Sequence, residues 1–286
     1  MKKFVISVDS SCDTTALELD NLGVYHISFN YTDGENIFVD DMKEESLKRF
    51  YEAMRKGVNY KTSQINPNDF KLYFKEIEAK EHLPIIHISL TKGLSATIDN
   101  AISVKDDLGV ELAVIDSKMA SVGLFILVKE ALKLQEEGVS FADAVKHIED
   151  MVLNVNTFYT TNTLTYFARG GRLSKAQALF GNMLLINPIL DCDLDGHLRV
   201  VKKVRGEKAA KKAYIEMIKH MSLNPENEEL YICHADNLDG ALSLKEELLK
   251  EIPFKDIKIH FMGPIVGAHT GPGLLACFYK GKRRVN

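Results

Sequence analysis

Short apolar strands alternate with helical segments through the first 155 residues, and this alternation constrains the fold more than any other feature of the sequence. Strands are predicted at Phe4–Val8, Tyr25–Tyr31, Pro84–Leu90 and Glu111–Ile115. Helices are predicted at Glu44–Lys56, Asn68–Lys80, Ser95–Asp107, Ser117–Glu137 and Phe141–Leu153. Such alternation is typical of a parallel sheet that is covered by helices. We therefore expect an α/β domain over residues 1–155.

After residue 155 the order of the elements changes. Strands are predicted at Thr157–Thr161, Met183–Asp191, His197–Val204, Glu229–His234, Asp256–Phe261 and Gly273–Lys280. Helices are predicted at Ser174–Gly181, Gly206–Met221 and Leu238–Lys250. The dipeptide Asp195-Gly196 between two of these strands is a strong signal for a β-hairpin turn. The sequence therefore predicts a second, mixed α+β domain over residues 156–286, packed closely against the first.

The composition excludes several classes of protein. Of the 286 residues, 45% are hydrophobic and 27% are charged, as in ordinary soluble globular proteins. The net charge of −4 gives no electrostatic reason to expect a nucleic-acid partner. The longest clean apolar run, Val122–Val128, is far shorter than the roughly 18 residues that a membrane-spanning helix needs. The four cysteines lie far apart with no C-x-x-C pair, which favours free thiols in a reducing cytoplasm.

Common nucleotide and metal motifs are absent from the sequence. It contains neither a G-x-x-x-x-G-K-[ST] loop nor a G-x-G-x-x-G segment after the first strand. Asp9 and Asp116 end predicted strands, but no ligand spacing such as H-E-x-x-H accompanies them. We interpret both aspartates as residues that cap the following loops, and we expect neither a metal nor a cofactor.

Two clusters of hydroxyl side chains suggest a site for an anion. The segment 61–64 (Lys-Thr-Ser-Gln) contains Thr62 and Ser63 and precedes a helix opened by Pro67. The segment 91–97 contains Ser95 and follows a predicted strand. Open α/β sheets bind ligands at the carboxyl ends of their strands, and hydroxyls and free amides at a helix start can hold a carboxylate or phosphate. Each hydroxyl alone is well explained as a helix cap, but two clusters together favour a binding site.

Three segments of the second half add basic and glycine-rich features. Residues 168–174 contain Arg172 after two glycines, and residues 202–206 contain Arg205. Residues 263–273 form a predicted glycine-rich loop that includes His269 and Thr270. A histidine placed among glycines, where backbone can approach a ligand closely, is a better candidate for binding than an isolated one.

The order and spacing of these segments resemble the DegV family over essentially the whole chain. The matching strings are Thr62-Ser63-Gln64, Gly93-Leu94-Ser95-Ala96-Thr97, Gly171-Arg172-Leu173-Ser174, Lys203-Val204-Arg205-Gly206 and the loop from Gly263-Pro264 to His269-Thr270-Gly271-Pro272-Gly273. The sequence departs from the family pattern at Ala96, where a glycine is usual, and at Lys92, where a serine is common. Both positions flank Ser95 and leave its hydroxyl in place.

The resemblance implies a lipid-binding protein rather than an enzyme. Similar family members bind one long-chain fatty acid, of the palmitate and oleate class, between two domains. They act as the fatty-acid-binding (FakB-type) subunit of the bacterial fatty-acid kinase system, whose acyl phosphate is a phospholipid precursor. Such a role implies a cytoplasmic protein that makes at most transient contact with a membrane.

Specific residues can be assigned to this role. We expect Thr62, Ser63, Ser95, His269 and Thr270 to bind the carboxylate, because hydroxyl and imidazole groups donate hydrogen bonds without permanently neutralising it. Arg172 and Arg205 are expected near the surface, where they would contact the kinase subunit or the phosphates of ATP. No residue is expected to be catalytic.

Two alternatives remain from the sequence. A serine acyl hydrolase would use Ser95 and His269 with Asp116 or Asp9, since Gly93-Leu94-Ser95 begins like the G-x-S-x-G nucleophile elbow. The fifth position of that motif is Thr97 instead of glycine, which favours binding over hydrolysis. A sensor or transport protein for another lipid is the third possibility.

Overall fold

A computed structural model describes residues 2–173 and 186–285. The strands are β1 (Val5–Asp9), β2 (Tyr25–Ile27), β3 (Asn30–Thr32), β4 (Ile37–Val39), β5 (Lys61–Ser63), β6 (Ile85–Ser89), β7 (Leu112–Asp116), β8 (Val155–Thr160), β9 (Ile186–Cys192), β10 (Leu198–Arg205), β11 (Glu229–His234), β12 (Asp256–Phe261) and β13 (Leu275–Lys280). The α-helices are α1 (Ala16–Asn21), α2 (Glu44–Arg55), α3 (Pro67–Glu81), α4 (Thr97–Ser103), α5 (Val122–Glu136), α6 (Phe141–Met151), α7 (Thr165–Arg169), α8 (Glu207–Met221), α9 (Leu238–Glu251) and α10 (Pro264–Thr270).

Four strands of the first half form the predicted parallel sheet, in the order β2-β1-β6-β7. Every residue of β1 and β6 is buried, which explains why both strands are nearly continuous in apolar character. Because all four strands run the same way, the segments that follow β1, β6 and β7 start from one edge of the sheet. That edge is where the hydroxyl-rich segment 91–97 begins.

A small antiparallel sheet, in the order β4-β3-β5, was not predicted from the sequence. The predicted strand Tyr25–Tyr31 is in fact two strands: β2 joins the parallel sheet, and β3 joins the small sheet. The segment that contains Thr62 and Ser63 is the third strand of this small sheet rather than a loop after a strand. Each of its strands has only three residues and is partly exposed, so no alternation of apolar residues marks them.

Six strands form a mixed sheet in the second half, in the order β10-β9-β8-β13-β11-β12. Neighbours are antiparallel except β11 and β12, which run parallel. The hairpin predicted at Asp195-Gly196 joins β9 to β10, and Gly196 has a φ of +83°, a conformation that glycine adopts easily. The parallel α/β part and the mixed α+β part together confirm the predicted fold class. The helix predicted at Ser174–Gly181 lies outside the described residues.

Helix α5 packs between the two large sheets. It contacts β1 of the parallel sheet and β8 and β13 of the mixed sheet, and nine of its residues are buried. Its apolar run Val122–Val128 is therefore hydrophobic on all sides because the helix is buried on all sides. The two halves consequently share a continuous core; their division into domains at residue 155 stays a prediction. Within the described part of the chain, no helix combines the length and the apolar character needed to cross a membrane.

Two further segments differ from the sequence prediction. The helix predicted to begin at Ser117 begins at Val122, after a loop in which Ser121 has a φ of +60°. The predicted glycine-rich loop of residues 263–273 contains α10, which starts at Pro264. Proline suits the first position of a helix because the missing N–H has no partner there in any case. His269 and Thr270 therefore lie on the last turn of a helix.

Candidate functional site

One cavity lies where the two large sheets and the small sheet meet. It encloses about 790 Å³ of empty space, part of it open to solvent. It opens beside the segments that follow β6 and β7, at the carboxyl edge of the parallel sheet. Its lining comes from both halves of the chain: Phe29, Thr62, Ser63, Gln64, Leu90, Leu94, Ser95, Ala120, Tyr159, Phe167, Arg172, Leu198, Ile265, Val266, His269 and Thr270.

All five residues that we expected to bind a carboxylate line this cavity. They arrive from three separate places: β5 carries Thr62 and Ser63, the loop after β6 carries Ser95, and α10 carries His269 and Thr270. Most of the remaining lining is aliphatic or aromatic, so the wall of the cavity combines a few polar groups with a largely apolar surface.

Thr62 and His269 are joined by a hydrogen bond of 2.9 Å between Oγ1 and Nε2. Burial lowers the pKa of His269 to about 4, and the positive charge of Arg172 lowers it in the same direction. The imidazole is therefore neutral near pH 7 and carries one N–H. A neutral imidazole adds no positive charge that would neutralise a bound anion.

The hydrogen-bond pattern favours one tautomer of His269. Its Nδ1 is buried and has no partner among the described residues. A buried N–H without a partner costs about 1–3 kcal/mol, so the proton belongs on Nε2, which donates to Thr62. The hydroxyl hydrogen of Thr62 is then available to a ligand. Nδ1 faces Gly170, where an added Cβ would lie 2.2 Å from it, so only glycine leaves room for this ring orientation.

Ser95 combines a structural role with its place in the cavity wall. Its Oγ accepts from the backbone N–H of Thr97 at 3.2 Å, at the start of α4, and donates to the Thr97 hydroxyl at 3.0 Å. The same loop touches the β9–β10 hairpin, since a Cβ on Gly93 would lie 2.6 Å from the carbonyl carbon of Gly196. Ser95 therefore both bonds to the first residue of α4 and lines the cavity.

Ser63 and Thr270 have partners within the protein. The Ser63 hydroxyl donates to the carbonyl of Asn30 at 3.4 Å. The Thr270 hydroxyl is buried and contacts Met262 Sδ at 3.2 Å and the Gly267 carbonyl at 3.5 Å. Because His269 donates to it, Thr62 keeps its hydroxyl hydrogen for a ligand and is the strongest hydroxyl candidate for a direct contact.

The two arginines occupy different places. Arg172, expected at the surface, is half-buried in the cavity wall; it donates from Nε to the Leu94 carbonyl at 3.2 Å and from a terminal nitrogen to the Gly170 carbonyl at 2.5 Å. Burial lowers its pKa, yet a guanidinium stays charged near neutral pH. Arg205 ends β10, where it is exposed, outside the cavity lining. Arg205 therefore lies at the surface as expected and Arg172 is half-buried; that either one contacts a partner stays a prediction.

The described residues do not assemble a hydrolase triad. His269 bonds to Thr62, and Ser95 bonds to Thr97. Asp9 accepts hydrogen bonds from Ser11 and Leu90, and Asp116 pairs with Lys118, so no hydrogen bond connects either aspartate to His269 in the part of the chain that the structure describes. Across residues 2–173 and 186–285, no three His, Cys, Asp or Glu side chains are grouped so that they could hold a metal ion.

The sequence did not single out the apolar lining. Phe29, Tyr159, Phe167 and Leu198 come from four different parts of the chain, and nothing in their local pattern separates them from core residues. Gln64 belongs to the segment 61–64, but no role was predicted for it. Only the three-dimensional arrangement identifies these residues.

Comparison with known proteins places the chain among relatives of similar length. The DegV family model, described as "Uncharacterised protein, DegV family", matches residues 3–282. A DegV domain-containing protein of Clostridium perfringens is 28% identical over 287 residues, covering 98% of both chains. A Thermotoga maritima protein named "Fatty acid-binding protein" is 29% identical over 282 residues, covering 95% of both. The crystal structure of a "fatty acid binding DegV family protein" from Streptococcus agalactiae has a TM-score of 0.87 and 25% identity, and covers 99% of this chain and 100% of that one.

Proposed function

Because the chain belongs to the DegV family, we propose that it binds one long-chain fatty acid in the cavity. The observation that carries this proposal is the composition of the wall, which combines hydroxyls, a neutral imidazole and a guanidinium with a majority of apolar side chains. A carboxylate with an acyl tail has the same division into a charged head and an apolar body. The relatives named for fatty-acid binding support the assignment.

The carboxylate would lie near Thr62, Ser95 and His269, with Ser63 and Thr270 beside them. Arg172 would contribute charge to the same region, because it lines the cavity and influences the pKa of His269. The tail would lie against Leu90, Tyr159 and other apolar residues of the wall. At about 0.8 kcal/mol per buried methylene, the tail would supply most of the affinity, and the head-group contacts would fix its orientation.

Native mass spectrometry tests the binding proposal. Protein purified from cells, or incubated with oleate or palmitate, should show the added mass of one fatty acid. A control incubation with the fatty alcohol of the same length should give weaker retention, since it lacks the carboxylate. An apo mass under every condition would contradict the proposal.

We propose further that the protein presents the bound carboxylate to a separate fatty-acid kinase subunit, which forms the acyl phosphate with ATP. The family resemblance and the exposed position of Arg205 on the edge strand β10 support this step. A partner that uses ATP implies a cytoplasmic location. The test is acyl-phosphate formation from radiolabelled oleate with ATP, Mg²⁺ and a purified bacterial fatty-acid kinase subunit. No product above the level without this protein would refute the presentation step.

A further inference from the structure

The five-residue segment from Asp9 to Asp13 contacts two segments of the chain that carry cavity residues. Asp9 ends β1, residues Ser10–Cys12 form a single 3-10 turn, and Asp13 follows in the left-handed conformation with a φ of +52°. All five residues are buried. Two carboxyl groups in such a position are costly to bury, so their hydrogen-bond partners indicate what they do.

Asp9 holds the start of the loop that carries Ser95. Its Oδ2 accepts from the backbone N–H of Leu90 at 2.7 Å and from the Ser89 hydroxyl at 3.4 Å. Leu90 is the first residue after β6 and lines the cavity. The other oxygen, Oδ1, accepts from the backbone N–H of Ser11 at 3.1 Å, which fixes the carboxyl group itself.

Asp13 holds the start of the helix that carries His269. Its Oδ1 accepts from the backbone N–H of Gly263 at 2.9 Å, across 250 positions of the sequence. Gly263 is the N-cap residue of α10 and has no side chain with which to cap it, so Asp13 supplies an acceptor just before the helix. A Cβ at position 263 would lie 2.7 Å from the same oxygen, so this approach requires glycine.

Another contact of Asp13 lies on the mixed sheet. Its Oδ2 accepts from Cys233 Sγ at 3.8 Å, in β11. Asp13 is therefore hydrogen-bonded both to β11 and to the N-cap residue of α10. Helix α10 has only two turns, so a shift of its first residue moves His269 and Thr270 with it.

We propose that Asp9 and Asp13 are positioning residues for the head group: through Leu90 and Gly263 they hold the Ser95 loop and the His269 helix at the separation that fits one carboxylate. This inference rests on the proposed fatty-acid binding. Burial raises the pKa of Asp9 to about 6 and that of Asp13 to about 8. Burial of both carboxyl groups is therefore costly, which agrees with a role for their hydrogen bonds to Leu90 and Gly263.

Carbon-13 NMR of bound oleate distinguishes a role of Asp13 in positioning the head group from a role in the stability of the fold. Oleate labelled at its carboxyl carbon reports the head-group contacts, and oleate labelled at its terminal methyl reports the tail. Asp13→Ala should shift the bound carboxyl resonance and increase the dissociation rate by about tenfold, while the methyl resonance stays. Asp13→Asn keeps an oxygen that can accept from Gly263 and should restore the wild-type carboxyl resonance.

Glu229→Gln is the matched control. Glu229 is a half-buried carboxylate at the other end of β11, where it bonds to Lys129 and Lys258, so its loss should lower stability without moving the carboxyl resonance. If Asp13→Ala does not fold, as judged by circular dichroism, Asp13→Ser takes its place with the same expected result. A folded variant with the wild-type resonance and dissociation rate would overturn the inference. Failure of wild-type protein to give any bound resonance would instead refute fatty-acid binding itself.

Discussion

The hydroxyl of Thr62 lies 2.9 Å from Nε2 of His269, although 207 positions separate the two residues. The bond joins the small antiparallel sheet to α10, which follows the last but one strand of the mixed sheet. Since both side chains line the cavity, the bond connects the two halves of the molecule at the cavity itself. A ligand carboxylate placed here would contact elements from the beginning and the end of the chain.

We expect Thr62→Val to weaken fatty-acid binding without emptying the cavity. Loss of one hydroxyl donor to a charged group costs about 1.5–3 kcal/mol, whereas the buried tail contacts remain. The dissociation constant of a fluorescent fatty acid should therefore rise by at least tenfold. Thr32→Val, on the neighbouring strand of the same sheet and outside the cavity lining, is the control and should bind normally. Equal affinity in both variants would remove Thr62 from the head-group site.

We expect Gly170→Ala to weaken fatty-acid binding because the added methyl group displaces the ring of His269. The backbone of Gly170 has a φ of −74°, which alanine accepts, so the added methyl acts by contact rather than by backbone strain. That methyl would lie 2.2 Å from Nδ1 of His269 and must displace the ring from Thr62. Isothermal titration calorimetry with oleate should show weaker binding for Gly170→Ala. In a His269→Ala background the same change should have little further effect, and full additivity would contradict the mechanism.

The polar part of the site could be predicted from the sequence, whereas its apolar part could not. Ser95 and His269 each lie within two residues of a glycine, and Thr62 lies shortly before the helix that Pro67 opens; glycine and proline mark the ends of elements in any fold. Tyr159 and Leu198 lie on strands with ordinary burial patterns, so their contact with a ligand depends on how distant strands pair. Arg172 was expected at the surface because a sequence gives the charge of a side chain but not its depth.

The small sheet β4-β3-β5 likewise could not be predicted from the sequence. The long strands β1 and β6 could be predicted because burial on both faces leaves a continuous apolar run. Strand β5 has three residues, two of them exposed, and is held by pairing with β3. The sequence of β5 does not indicate its pairing with β3, so no strand was predicted at Thr62 and Ser63.

We expect substitutions at Ser95 and Arg205 to separate fatty-acid binding from transfer of the fatty acid to a kinase. Ser95→Ala removes a hydroxyl from the cavity and should accelerate loss of the fatty acid. Arg205→Ala changes an exposed residue outside the cavity, so fatty-acid occupancy should stay near that of the wild type. With a kinase subunit and ATP, Arg205→Ala should nevertheless slow acyl-phosphate formation, most strongly at low salt, because a charge at the rim of an interface mainly affects the association rate.

Lys202→Ala is a suitable control for Arg205, since it is an exposed cation on the same strand. If removing Arg205 strips the ligand but leaves phosphorylation of the remaining ligand at full rate, Arg205 belongs to the carboxylate site. The proposed division between holding and presenting the ligand would then be wrong.

The buried carboxyl of Asp13 should make the protein more stable in mild acid. Burial is the main cause that raises its pKa from 3.8 to about 8, so the folded protein keeps the proton over a range in which the unfolded chain has released it. Its stabilising contribution is therefore complete below pH 3.8 and is lost as the pH rises towards 8. Between pH 5 and 7, the free energy of unfolding of the wild type relative to Asp13→Asn should fall by about 1.4 kcal/mol per pH unit, as measured by urea denaturation.

Glu229→Gln is the control and should show no such slope. Burial opposes ionisation of Glu229, but hydrogen bonds from Lys129, Tyr231 and Lys258 outweigh it and lower the pKa of Glu229 to about 2. The stabilising contribution of Glu229 is therefore lost only in stronger acid. A flat difference for Asp13→Asn across this range would mean that Asp13 is already ionised in the folded protein.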